Sequence, residues 1–136
     1  MKRLLVLVVL ITVVAAGSTY ALAGTAEVIK QKSEAAYHEY IKSGNFLAGE
    51  GQYAQAAKSY RQALSLKPDS AEGYSLLGSA LAEAGNYREA EEALKKAVTL
   101  KPNYAEGYYH LGNFYKSIGK QGEAEAAFSK AKQYRR

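Results

Sequence analysis

From residue 37 onward the chain repeats itself every thirty-four residues. Gly51-Gln52-Tyr53-Ala54-Gln55-Ala56 returns as Gly85-Asn86-Tyr87-Arg88-Glu89-Ala90, and again as Gly119-Lys120-Gln121-Gly122-Glu123-Ala124. Leu77-Gly78 is echoed by Leu111-Gly112, and Ala63-Leu64-Ser65-Leu66-Lys67-Pro68 by Ala97-Val98-Thr99-Leu100-Lys101-Pro102. A unit of this length cannot bury its apolar face alone, so such units stack and share one continuous core. The repeats fall at about 37–70, 71–104 and 105–136.

Each unit reads as two helices. In the middle one, Tyr74, Leu77, Gly78 and Leu81 recur at spacings of three and four and mark one face of a first helix. Gly85-Asn86 ends that helix, because glycine enters the left-handed conformation that a helix stop requires. Ala90, Leu94 and Ala97 line a second helix, and Pro102 stops the unit for want of an amide hydrogen. Gly78 and Ala90 are small where the two helices should cross, so their backbones can come close. Glu91–Lys95 and Glu92–Lys96 stand four apart, as on a solvated helix face.

These residues resemble the tetratricopeptide repeat over nearly all of residues 37–136. Tyr74, Leu77, Gly78, Leu81, Gly85, Tyr87, Ala90, Leu94, Ala97 and Pro102 stand where that family places its signature. Tyr108, Leu111, Gly112, Tyr115, Gly119, Ala124, Phe128 and Ala131 repeat the pattern in the third unit. Tyr40, Gly44, Leu47, Gly51, Tyr53, Ala56, Tyr60, Ala63 and Pro68 do so in the first. Departures are Ser43, where a large aliphatic is usual, and Gln121, where the other units have Tyr53 and Tyr87. The resemblance implies an all-α, right-handed α-solenoid of three helix-turn-helix repeats that binds another protein. The motif identifies a fold and leaves the ligand open. At the end of the array, Lys132 and Gln133 replace Val98 and Thr99, as a polar cap requires.

The resemblance also implies a concave surface lined by the first helices. The residues expected there are His38, Ile41 and Asn45; Ser75, Leu76, Ser79 and Glu83; Tyr109, His110, Asn113 and Lys116. Asn45, Leu76, Ser79, Tyr109, His110 and Asn113 make up the candidate peptide-binding groove. Its mixture of apolar, amide and hydroxyl groups suits an extended or helical peptide. Tyr109 is the expected anchor, since Tyr108 takes the core position and tyrosine often dominates interface energy. Asn45 and Asn113 are placed to grip a peptide backbone through bidentate amide contacts. Cochaperone members of the family hold a C-terminal carboxylate with Lys, Asn and Arg. Only Asn45 matches that clamp here; Ile41, Leu76, Glu106 and His110 occupy its other positions, and Glu106 would repel a carboxylate.

Composition bears on catalysis and on compartment. With 48% apolar and 23% charged residues the chain is globular in character, and with no cysteine it has neither disulfide nor thiolate chemistry. His38 and His110 lie on different units without a carboxylate cluster at ligand spacing, so no zinc site is expected. Ser79 can lie across the groove from His110, but a third catalytic member is missing. No glycine-rich phosphate loop is present. No enzyme activity, cofactor, metal or small-molecule substrate is therefore expected.

The first 23 residues differ from the rest. Lys2 and Arg3 precede an apolar run from Leu4 to Ala16, broken by Thr12, and Ala21-Leu22-Ala23 follows. That order is a secretory signal cut after Ala23, or an uncleaved anchor, since no charge occurs between Leu4 and Ala26. Either way the domain is exported. Residues 24–36 form a charged, helix-compatible lead-in. Taking Lys2 and Arg3 from the 18 basic residues leaves 16 against 13 acidic ones, a net charge of +3. These interleave with glutamates, which does not make a nucleic-acid surface. By resemblance to bacterial envelope proteins, the expected compartment is the periplasm, or the outer side of the inner membrane if the leader stays. The expected role is an adaptor or assembly factor that captures a segment of an envelope protein. The other reading is a scaffold that binds itself through a Tyr-rich surface.

Overall fold

The computed structural model describes the backbone of residues 2–135 and the side chains of residues 22–135. The described residues form helices joined by short turns: α1 (Lys2–Gly49), α2 (Tyr53–Leu66), α3 (Ala71–Glu83), α4 (Tyr87–Leu100), α5 (Ala105–Ser117) and α6 (Gln121–Tyr134). The chain divides into two compact units, residues 1–35 and 36–136. The side chains of the leader lie outside the described residues, apart from Leu22 and Ala23. Among the described residues, no helix is long and apolar enough to cross a membrane. In the first unit Leu22, Val28 and Ile29 are exposed, and Gln31 donates to Glu27 one turn earlier.

The second unit is an α-solenoid of helix pairs. Its turns are built identically. Gly51, Gly85 and Gly119 would be strained with any side chain, because each has φ between 74° and 84°.

 The amide of the following residue closes the stop by bonding the carbonyl five residues back: Gln52 to Leu47 at 2.8 Å, Asn86 to Leu81 at 2.8 Å, and Lys120 to Tyr115 at 2.9 Å. Pro68 and Pro102 follow the second helices of their units, where no amide donor is needed. Ser70 starts α3 by accepting from the Gly73 amide at 2.9 Å, and its hydroxyl also bonds the buried Tyr37 phenol at 2.6 Å.

Within each unit the two helices cross at a glycine. A Cβ at Gly78 would stand 2.5 Å from Leu94 Cγ and 3.0 Å from the Ala90 carbonyl oxygen. Gly44 and Gly112 are closed in the same way by the rings of Tyr60 and Phe128. Around these crossings Ala56, Ala63, Leu81, Ala90, Leu94, Ala97 and Ala124 are buried, as their spacing predicts.

Some positions depart from the sequence reading. Ile41 and Ser75, expected on the concave surface, are buried, Ser75 at 1% exposure. Tyr109 occupies the same repeat position yet is 45% exposed. The difference follows from stacking, because α1 and α3 are each followed by another first helix, whereas α5 is followed only by α6. Ser43 is exposed on α1. Of the two expected helix-face ion pairs, Glu91–Lys95 closes at 2.6 Å; another, Arg61–Glu89 at 2.6 Å, ties α2 to α4. Both are at the surface and contribute little to stability.

Two glycine substitutions test this packing. Gly78→Ala should destabilise the fold by about 1–3 kcal/mol through overpacking against Leu94 and the Ala90 carbonyl. Gly122, inside α6 with open space at its Cβ, should instead gain about 0.4–1 kcal/mol on replacement by alanine. Thermal unfolding of the two variants measures both, and they should move in opposite directions.

Candidate functional site

The first helices α1, α3 and α5 present one further stripe besides their core faces. It holds Lys42 and Asn45 on α1, Leu76, Ser79 and Glu83 on α3, and Glu106, His110 and Asn113 on α5, all partly or fully exposed. The spacings of three and four put each set on one side of its helix. In the first unit Lys42, not Ile41, is in register with Leu76 and His110, so the inward turn of Ile41 corrects the sequence reading.

Three hollows follow this stripe. One, of about 220 Å³, is walled by Asn45, Tyr53, Tyr60, Leu76, Ser79 and Glu83. The next, of about 270 Å³, shares Ser79 and Glu83 and adds His110, Asn113 and Phe114. The third, of about 500 Å³, shares His110 and is lined by Tyr104, Glu106, Tyr109, Tyr134 and Arg135. Asn45, Leu76, Ser79, Tyr109, His110 and Asn113 therefore all line this run of hollows. Because Ser79 and His110 each belong to two of them, the hollows adjoin one another.

Hydrogen bonds fix much of this wall. The Tyr60 phenol donates to Asn45 Oδ1 at 2.8 Å. Burial raises the Tyr60 pKa, which keeps that proton in place. One lone pair of the Asn45 carbonyl oxygen is thus taken by Tyr60, while its amide hydrogens have no partner among the hydrogen bonds described. Ser79 Oγ and His110 Nδ1 lie 2.9 Å apart, bridging α3 and α5 across the groove. Burial lowers the His110 pKa, and nearby Glu106 only partly opposes it, so the ring is held neutral.

The third hollow is the most aromatic, and most of its lining was not legible in the sequence. Tyr104 stands where the preceding unit has the cap Ser70, and that break in the repeat is the signal for it. Its pKa is pushed up to about 12, first by burial and then by Glu106 and Glu72, so its phenol remains a donor. Tyr109 rests on Phe128 with ring centroids 5.9 Å apart, and Arg135 lies 6.0 Å over the Tyr109 ring. His38 is exposed on α1, edge-on to Tyr37. Among the described residues, no group of three or more His, Asp or Glu side chains is placed to hold a metal ion.

A solenoid of helix pairs with a lined inner stripe is the architecture of a repeat-type interaction module. The chain belongs to the tetratricopeptide repeat family, whose sequence profile matches residues 41–105 and, overlapping them, 76–135. No curated protein matches the chain in sequence. Among solved structures it is similar to the second tetratricopeptide domain of Spaghetti (RPAP3) bound to the HSP90 peptide SRMEEVD. That match has a TM-score of 0.68 at 22% identity, covering 77% of this chain and 96% of that one. The crystal structure of MamA matches with a TM-score of 0.64 at 32% identity, over 72% of this chain and 57% of that one. The TPR2B domain of yeast Sti1 in its pHsp70 complex matches with a TM-score of 0.68 at 22% identity, over 73% of this chain and 79% of that one. The family's fold mediates protein–protein interaction.

The neutral His110 has a consequence for stability. A histidine whose folded pKa is depressed contributes fully above its ordinary value of 6.5, and that contribution is lost as pH falls toward the folded value. Thermal unfolding followed from about pH 7 down to pH 5 should show a falling Tm, and His110→Gln should flatten that slope.

Proposed function

We propose that this protein is an exported adaptor or assembly factor that holds an extended segment of an envelope protein along its first-helix groove. The observation that carries this reading is the run of adjoining hollows from Asn45 to Tyr109. An extended peptide advances about 3.3 Å per residue and sets alternate side chains into successive depressions. The groove offers such a chain the amide hydrogens of Asn45, the apolar flank of Leu76, the Ser79–His110 pair and the rings of Tyr104 and Tyr109. Asn113 sits in the central hollow. Two structural neighbours, the HSP90-peptide and pHsp70 complexes, support a peptide as the ligand. The carboxylate clamp of the cochaperone members is not carried over, because Glu106 borders the largest of the three hollows.

The exported placement rests on the leader's order of charge, apolar run and small residues. A reporter enzyme that is active only outside the cytoplasm, fused after Arg136, should be active in the host. An inactive fusion would place the groove in the cytoplasm and remove envelope proteins as its ligands.

The groove itself is tested by a photo-crosslinking residue at position 76, its middle, in the native host. Adducts with one or a few foreign proteins are expected, and Tyr109→Ala should weaken that capture by about 1–3 kcal/mol. Adducts only between copies of the chain, or none, would overturn the adaptor reading.

A further inference from the structure

The two ends of the array differ from its interior at matching positions. Inside the chain each unit joins the next through the same pair of sites. Gly73 on α3 meets Leu64 of α2, where an added Cβ would stand 2.8 Å from Leu64 Cδ2. Gly107 on α5 meets Val98 of α4 at the matching position, with 3.2 Å to Val98 Cγ1, although the Tyr104 ring comes nearer at 2.7 Å. One period before Gly73 stands Glu39 on α1, and one period after Val98 stands Lys132 on α6. Both are exposed, and the ion pairs described for the chain involve neither of them. A small residue facing an aliphatic one inside the array thus becomes an acid at one end and a base at the other.

The rest of the first end is an uncovered repeat face. Ala80 and Phe114 are each 4% exposed, and Phe114 lines one hollow together with Ser79, Ala82 and Leu94 of the preceding unit. Phe46 holds the same repeat position on α1 and is 68% exposed. Tyr40, in register with Tyr74 and Tyr108, is also exposed. At the other end, Asn113, Lys116 and Phe128 stand where Ser79, Ala82 and Leu94 receive Phe114. Tyr109 is exposed there, since among the described residues no first helix packs beyond α5.

We infer that copies of this chain stack head to tail, the α1 face of one copy seating on the α5–α6 face of another, with Glu39 paired to Lys132. The occupant is a second copy because the two faces continue the internal repeat and carry opposite charges at the one position where both depart from it. In this junction Phe46 fills the place beside Phe128 that Phe114 fills beside Leu94. The Cβ of Glu39 requires the junction to open slightly relative to the internal ones, and the unbranched, flexible lysine stem gives way where a leucine would not. The ion pair sets register and orientation, and the buried Phe46 and Tyr40 supply the contact. Such an interface is heterologous and does not close, so it builds linear stacks that lengthen with concentration. It replaces the Tyr-rich surface as the site of self-association. It also covers Tyr109, so stacking competes with peptide for the third hollow, and the last copy of each stack keeps that hollow open.

The absence of native cysteine makes the test direct. The full chain carrying both Glu39→Cys and Lys132→Cys is expressed in the host, oxidised in intact cells and run without reductant. A ladder of dimers, trimers and higher species is expected from the double variant, and none from either single variant. A dimer from Glu39→Cys alone would show face-to-face pairing and overturn the proposal. So would a double variant that remains monomeric. A second experiment uses the charges with a neutral crosslinker: Glu39→Lys should lose the ladder, and adding Lys132→Glu should restore it. Failure of that rescue would remove the ion pair from the junction. These readouts lie at positions 39 and 132, away from the mid-groove crosslinker, so the stack and the adaptor reading stand or fall separately.

Discussion

The close crossing of two helices at Gly44, Gly78 and Gly112 is the contact on which the array depends. At each crossing a large side chain from the second helix, Tyr60, Leu94 or Phe128, occupies the space a Cβ would need. Close approach brings the alanines of the second helices into the core and fixes the angle at which the pair leaves the crossing. Every later feature inherits that angle: the next unit's seat, the direction of the first helices, and the stripe they turn outward. A repeat protein amplifies such a local constraint, because each unit is positioned mainly by its neighbours.

The groove owes its chemistry to positions the core does not need. The core claims one face of each first helix, and the other face is free to carry Asn45, Leu76, Ser79, His110 and Asn113. Few of these act alone. Tyr60 closes a crossing with its ring and bonds Asn45 with its hydroxyl, so one side chain serves both packing and groove. Ser79 and His110 join two first helices across the groove floor. A ligand would therefore meet a surface whose donors and acceptors are already oriented, which lowers the ordering cost of binding.

Stacking has the opposite effect at the ends of the array. An end unit has a face that its interior counterparts bury, and the sequence must make that face soluble or give it a partner. Lys132 puts a charge where Val98 packs inside the array, while Phe46 leaves a large apolar side chain exposed on the first helix. The two ends are thus unlike each other, which distinguishes a head-to-tail contact from a symmetric one.

The thirty-four-residue period, the glycine stops, the prolines and the alternation of small and large residues at the crossings were all present in the sequence. They determined the helix pairs and the α-solenoid, because each depends on local backbone limits or on a helical face repeated at fixed spacing. Register also assigned the six candidate groove residues to the first helices, where they line the run of hollows. Only the tertiary structure decided which of the off-core residues face solvent. Ile41 and Ser75 turn inward while Tyr109 does not, since burial at that position depends on whether another first helix follows. It also decided that Asn45 is already engaged by Tyr60, fifteen residues away, and that Tyr104, Tyr134 and Arg135 gather around Tyr109. Contacts between units depend on what lies opposite in space, and a period in the sequence specifies the stacking without naming the side chains that meet.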